Sequence, residues 1–200
     1  MDTTKPLRAD AARNREAILR AAAGVLARDG LDFRIDEVAR SAGVGNATLY
    51  RHFPDQAALA EAVLSAKISA YADGAERAAQ LAPDDPALAF TQLVEQIAAH
   101  QASDRAFAQV VGGAVDLCPG ELRRAFNASL EVCRVAQQAQ VIRADFEHAD
   151  LLLLVRAIDG LLHADASTAP SAAHRLSTLF LDAVRLPAAH TELPASTSRD

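Results

Sequence analysis

Residues 38–50 read VARSAGVGNATLY, and this spacing predicts two short helices that cross at a sharp angle. Ala39 provides the small side chain that two closely crossing backbones need. Gly43, four positions later, tolerates the positive φ that the turn between the helices requires. Three apolar side chains fill the crossing from both sides: Val38, Val44 and Leu49. This is the spacing of a helix-turn-helix, whose second helix enters the major groove of DNA, although chance tight turns between helices also use glycine.

Helical periodicity continues on both sides of this stretch, so we expect an all-α chain of about nine helices. A first helix should begin near Asp10, which can cap free N–H groups, and stop at Gly30. The fourth should be long, from about Asp55, its predicted cap, to Leu81. The other helices are predicted at about 36–42, 46–52, 86 onward, 104–111, 119 onward, 149–164 and 170–186.

Composition and cysteine content exclude several classes of protein. The 200 residues are 50% hydrophobic and only 4% aromatic, and no apolar run reaches the ~18 residues of a membrane span. The polar N-terminus lacks the apolar stretch of a signal peptide, so we expect a cytoplasmic protein with no membrane partner.

Cys118 and Cys133 form no metal or disulfide motif. They are interpreted as small buried side chains, with a redox sensor as the alternative, and no metal or cofactor is expected.

The charge distribution is uneven along the chain. The formal net charge is −6, but the segment through Asp55 holds nine Lys and Arg against eight Asp and Glu. The remainder holds eleven basic and eighteen acidic residues. Because carboxylates repel phosphate, any DNA-binding face must lie at the N-terminal end.

Three segments of the N-terminal part resemble the tetracycline-repressor (TetR) family of transcriptional regulators. They read RNREAILRAA at 13–22, AGV at 42–44 and TLYRHFP at 48–54. The resemblance covers about residues 8–66. Beyond Leu81 it is looser, and is carried by IRAD at 142–145 and DLL at 150–152.

The resemblance implies a helix-turn-helix domain at 1–54 and a helical effector-binding and dimerisation domain at 55–187, joined through the long helix 55–81. Composition predicts a disordered tail at 188–200. The family also implies a homodimer built mainly from the last two helices and a small-molecule cavity. Ligand binding would move the two DNA-binding domains of the dimer so that they no longer match the half-sites of a palindromic operator. The chain is thus identified as a regulator, interpreted as a repressor, although sequence does not separate a repressor from an activator.

The candidate DNA contacts lie on the second helix of the motif and just before the first. Asn can pair with adenine, whereas Ala and Thr can contact a thymine methyl, and side chains further along the helix can hold phosphates. The alternative is that Tyr50 and His52 pack against neighbouring helices. Gln56 stands where many relatives have Lys or Arg, which puts one phosphate contact in doubt. The predicted set is Arg34, Asn46, Ala47, Thr48, Tyr50, Arg51 and His52.

Apolar residues and isolated polar residues of the C-terminal part are the candidates for an effector pocket. The alternative for each polar residue is a surface or interface position, and Arg156 and Asp159 could simply pair at i,i+3. The predicted set is Phe90, Val94, His100, Phe107, Phe126, Asn127, Leu130, Arg156 and Asp159, with Ile158 and His163 as further candidates.

Residues 151–154 are apolar on nearly every side of a helix, which indicates burial against a partner subunit. The alternative is an ordinary monomer core. The predicted dimer interface is Leu153, Leu154, Leu161, Leu176, Leu179, Phe180 and Val184.

Two other classes of function compete with a regulator. A helical enzyme is disfavoured because no Ser/His/Asp set, Glu-x-x-His pair or glycine-rich phosphate loop appears in the sequence. A structural or adaptor helical protein is the remaining alternative.

Overall fold

The computed structural model describes residues 4–113 and 117–186, with side chains from Asp10 onward. This part of the chain is all-α, as predicted, and contains no β-strand, only an isolated bridge between Ile142 and Arg185. The predicted tail, 188–200, lies outside the described residues. The described residues form nine α-helices: α1 (Thr4–Asp29), α2 (Ile35–Ala42), α3 (Asn46–His52), α4 (Gln56–Leu81), α5 (Pro86–Gln101), α6 (Arg105–Val111), α7 (Pro119–Gln138), α8 (His148–Ala164) and α9 (Ala169–Val184).

Aspartates cap three of these helices. The side chains of Asp55, Asp85 and Asp104 each accept a hydrogen bond from the backbone N–H three residues further on, at the starts of α4, α5 and α6. Each bond satisfies one of the N–H groups that a helix N-terminus leaves without a partner. The sequence prediction identified the cap of α4 correctly.

The start of α1 was predicted wrongly. The helix begins at Thr4, so Asp10 lies inside it and pairs with Arg13 one turn later instead of capping. The earlier start is compatible with Pro6, because proline is tolerated in the first turn of a helix.

The first three helices form a small cluster around apolar side chains. The helices α2 and α3 both contact α1. A 3₁₀ turn at Gly30–Asp32 leads from α1 towards α2. Residues buried to at least 97% of their surface join the three helices: Ile18, Leu26, Val38, Leu49 and Phe53.

The long helix α4 connects this cluster to the rest of the chain. It contacts α1 at one end and packs along α7, α5 and α6 over the remainder. In turn, α5 contacts α7, α8 and α9, so it lies at the centre of the C-terminal helices. Most of the described buried side chains form one continuous core from Ile18 to Val184, and Ala108, Leu162 and Ala169 form a second, small cluster. None of the described helices is long and apolar enough to cross a membrane.

Candidate nucleic-acid interface and ligand cavity

The turn between α2 and α3 has the geometry that the sequence predicts. Gly43 adopts the left-handed conformation, with φ 68° and ψ 28°, and its N–H donates to the carbonyls of Ala39 and Arg40. The N–H of Val44 also donates to the Ala39 carbonyl, at 3.0 Å. These bonds close α2 and turn the chain directly into α3.

The helix α3 has one buried side and one open side. Leu49 is only 1% exposed, whereas the next residue, Tyr50, is 47% exposed. The predicted DNA contacts lie towards the open side: Arg34, Asn46, Ala47, Tyr50 and Arg51 are exposed, and Thr48 and His52 are half-buried. Their side chains therefore remain largely accessible from outside the subunit.

Asp36 holds two of the predicted DNA contacts. Asn46 Nδ2 donates to Asp36 Oδ1 at 2.9 Å, and Arg34 Nη2 lies 3.8 Å from the other carboxylate oxygen. Because these bonds are exposed to solvent, they are weak and can be exchanged for contacts to DNA. Arg51 instead donates to Thr48 Oγ1 at 3.4 Å and has no carboxylate partner within the described ranges.

Gln56, at the start of α4, is engaged within the subunit. Its Nε2 donates to the carbonyl of Leu31 at 2.8 Å. The N–H of the same Leu31 donates to Gln109 Oε1 on α6, at 2.7 Å. Both polar groups of this peptide position are thus held by side chains of the C-terminal helices. We call this arrangement the Leu31 clamp.

Helix α6 is fixed at several points besides the Leu31 clamp. Its capping residue, Asp104, is almost fully buried and forms an ion pair with Lys67 on α4. Arg105 donates to the carbonyl of Leu162 on α8, at 3.4 Å. At the other end of the helix, Val110 and Val111 line a cavity. Helix α6 therefore contacts the cavity, α4, α8 and the 3₁₀ turn between α1 and α2 at once.

A cavity of about 430 Å³ lies among α4, α5, α6, α7 and α8. Its volume falls within the ~300–1,000 Å³ typical of small-molecule sites. The walls are mostly aliphatic, with a few polar groups. The described lining residues are Tyr71, Ile97, Val110, Val111, Gly113, Leu122, Arg123, Ala125, Phe126, Ser129, His148, Leu151, Leu152 and Val155.

Two polar lining groups form a fixed pair. Ser129 Oγ lies 2.8 Å from the Phe126 carbonyl and 2.8 Å from His148 Nε2. A hydroxyl has one proton, and only the carbonyl is obliged to accept it, so His148 Nε2–H is the donor to Ser129. Burial lowers the pKa of His148, which keeps the ring neutral at pH 7. Burial also raises the pKa of the Tyr71 hydroxyl to about 12, so this group stays protonated.

The cavity lining differs from the pocket residues predicted from sequence. Of that set only Phe126 lines the cavity. Phe90 and Val94 are fully buried core residues, and the Phe90 ring packs edge-on against Phe146. His100 and Phe107 pack around the Tyr71 ring, behind the cavity wall. Ile158 is likewise a core residue.

The remaining predicted pocket residues lie elsewhere. Asn127 and Leu130 are exposed on α7 and do not line the cavity. Asn127 lies about 100° around the helix from Phe126, which turns it away from the lining side. Arg156 is exposed on α8. Asp159 does not pair with it: Asp159 Oδ1 lies 3.4 Å from His163 Nδ1. The sequence prediction missed Tyr71, Arg123, Ser129 and His148, which are separated widely along the chain.

The predicted dimer residues divide into two groups. Leu153 and Leu179 are 61% and 56% exposed, and Leu161, Leu176 and Phe180 are half-buried. In contrast, Leu154 and Val184 lie in the core of the single subunit, because this side of α8 and α9 packs inward. For these two residues the ordinary core is the correct interpretation.

Burial argues against a redox role for the cysteines. It raises the pKa of the Cys133 thiol to about 12, and burial together with Glu121 and Glu61 raises the pKa of Cys118. Since the thiolate is the reactive form, Cys133 is almost entirely in the unreactive thiol form at pH 8. We expect iodoacetamide to label both cysteines more slowly in the folded protein than in urea, and Cys133 about a hundredfold more slowly. Rapid labelling of the folded chain, measured by mass spectrometry, would contradict this expectation.

Comparison with known proteins identifies similar sequences and folds. The family described as bacterial regulatory proteins, tetR family, matches residues 18–63. A TetR transcription regulatory protein from Mycobacterium vanbaalenii is 32% identical, over 90% of this chain and 100% of that one, with a TM-score of 0.50. The regulator SCO0520 from Streptomyces coelicolor is 28% identical over 87% and 99% of the two chains, with a TM-score of 0.50.

A third structure shares the fold. SmeT, the repressor of the Stenotrophomonas maltophilia multidrug efflux pump SmeDEF, is 18% identical over 89% of this chain and 93% of that one, with a TM-score of 0.55. No curated protein matches the chain in sequence.

Proposed function

Because the chain belongs to the TetR family and is a DNA-binding transcription regulator rather than an enzyme, we propose that it is a ligand-released repressor. In this proposal a homodimer binds a palindromic operator and dissociates from it when a small molecule fills the cavity. The DNA-binding unit is residues 1–54, and residues 55–187 bind the effector and the second subunit. Binding to chromosomal DNA implies a cytoplasmic location.

The accessible side of α3 supports its role as the reading helix. Asn46 and Ala47 at its start are exposed, and Thr48 follows them. The N-terminal end of a recognition helix approaches the bases most closely. Further along, Tyr50 and Arg51 are placed to hold phosphates, which fix the orientation of the protein on the duplex.

The outer surface of α8 and α9 supports the dimer. Leu153 and Leu179 are large apolar side chains that a single subunit leaves in water. Fully burying a leucine side chain contributes about 1.5–3 kcal/mol of favourable free energy. Burying Leu153 and Leu179 of both subunits in one interface therefore favours association. A dimer formed through this surface has a two-fold axis and carries two copies of α3. We therefore expect its operator to have the same two-fold symmetry.

The single observation on which the proposal of ligand release rests is that α6 lies between the cavity and the helix-turn-helix domain. Val110 and Val111 form part of the cavity wall, and Gln109 of the same helix belongs to the Leu31 clamp. A ligand that displaces the valines must move a rigid two-turn helix. That movement pulls on the segment between α1 and α2. SmeT, which has this fold, is itself a repressor.

Footprinting on DNA from beside the protein's own gene tests the proposal. We expect two protected half-sites, inverted relative to each other and about 10 base pairs or a multiple apart. The binding constant should fall steeply with salt, since phosphate contacts dominate affinity. A single unsymmetrical footprint, or binding insensitive to salt, would contradict the proposal.

Thr48→Ala tests the assignment of the base-reading edge. We expect loss of about 1–3 kcal/mol of discrimination at one base pair of each half-site, because the hydroxyl and methyl that contact the base are removed. Competition between the operator and single-base variants measures this discrimination. Arg77→Gln, an exposed position on α4, is the control and should leave base preference unchanged. Unaltered base preference in Thr48→Ala would place the reading edge elsewhere.

A further inference from the structure

The described residues that line the cavity carry positive charge only. Among its described lining residues Arg123 is the only side chain charged at pH 7, and none is an aspartate or glutamate. The neutral His148 adds no second charge. Among these described residues a cation would find no carboxylate to compensate its lost hydration, whereas an anion would meet a guanidinium.

Arg123 is available for a ligand, in contrast to its neighbour. Arg124 donates to Asp73 at 2.7 Å and to Glu76 at 2.7 and 2.8 Å, so its charge is already used in linking α7 to α4. Arg123 has no ion pair or hydrogen bond in the described part of the chain. It is exposed, which places it at the mouth of the cavity.

The interior is suited to an apolar body. Aliphatic side chains from four helices form most of the wall, among them Ile97, Val110, Leu151 and Val155. One further polar point is available inside, because the protonated Tyr71 hydroxyl has no hydrogen-bond partner in the described ranges. The cavity thus changes from a positive mouth to an apolar interior.

We propose that the effector is a small organic acid, with its carboxylate held by Arg123 at the mouth and its apolar body inside the cavity. The proposal rests on the proposed function in taking this cavity as the effector site. Guanidinium groups bind carboxylates through two parallel hydrogen bonds, which favours this anion over a neutral group of similar size.

The test compares three probes that share one apolar chain: decanoate, decanamide and decylamine. Their binding to the full-length protein without DNA is measured by calorimetry at pH 7.5. We expect decanoate to bind about fivefold more tightly than decanamide, and decylamine to bind most weakly. The factor is modest because Arg123 is exposed to solvent, which weakens its attraction for the carboxylate. In Arg123→Gln, decanoate should fall to the affinity of decanamide. Arg77→Gln removes the same charge from an exposed site outside the cavity and should keep the preference.

The outcomes separate this proposal from the proposed function. Equal or tighter binding of decylamine, a preference for decanoate that survives in Arg123→Gln, or no binding by any probe would each overturn the assignment of an acid. A second measurement asks whether decanoate removes the operator footprint. If decanoate binds through Arg123 but the footprint persists, the acid preference is supported and the proposed release fails.

Discussion

Replacing Leu49 by Ala is expected to lower the free energy of unfolding by about 2–5 kcal/mol. The side chain is 1% exposed and belongs to the core shared by the first three helices. Removing it leaves a cavity where α3 meets its neighbours, and α3 has only seven residues. Because so short a helix has little stability of its own, it should lose its position first, and DNA binding with it.

The adjacent substitution Tyr50→Ala provides the matched control. Tyr50 is 47% exposed, so its loss should leave the unfolding midpoint almost unchanged. We expect it to weaken binding to every DNA sequence by about tenfold, since a phosphate contact carries no base information. Urea denaturation and operator titration, performed on both variants, measure the two effects separately. If Tyr50→Ala destabilised the fold as much as Leu49→Ala, the inward and outward sides of α3 would be assigned wrongly.

Gln109→Leu is expected to uncouple the cavity from DNA binding. The substitution removes the acceptor of the Leu31 N–H, one half of the Leu31 clamp, while retaining most of the side-chain volume. Leaving a part-buried donor without a partner costs about 1–3 kcal/mol of stability. Coupling between two sites is typically about 1–3 kcal/mol, or 5–150-fold in affinity, so losing this connection can remove most of it.

The coupling is measured as the ratio of operator affinities without and with a saturating cavity ligand. In Gln109→Leu this ratio should approach one, and the Leu31 amide should exchange its proton faster. Gln137→Leu is the control. Gln137 donates to the carbonyls of Phe146 and Ala144, at 2.8 and 3.2 Å, so the variant loses similar bonds that do not involve the Leu31 clamp. An unchanged ratio in Gln109→Leu, with Leu31 exchange accelerated, would show that α6 does not transmit the signal through this bond.

Local signals in the sequence were sufficient for most of the fold. Gly43 and the apolar residues around it predicted the turn, because the required positive φ is a property of a few consecutive residues. The boundaries of α3 were predicted correctly from similar local signals. The start of α1 was not, because Asp10 can serve equally as a cap or as a partner for Arg13, and the sequence contains no signal that separates the two roles.

The cavity could not be predicted in the same way. Tyr71, Arg123, Ser129 and His148 come from three helices, and the sequence pattern of each helix shows only that one side is apolar. Where a helix packs against two other helices, the periodicity of its apolar residues does not show which of the two a given side chain contacts. For this reason Leu154 and Val184 were assigned to a partner subunit, although they complete the subunit's own core.

The sequence by itself determined the all-α class, the helix-turn-helix and the family, because these depend on backbone conformation and spacing over short stretches of chain. Only the tertiary structure decided which polar side chains meet at the cavity and that the Leu31 clamp joins residues 31, 56 and 109. The physical reason is that the contacts between helices depend on how they rotate and cross when they pack. Packing is decided by the whole core at once rather than by any one segment.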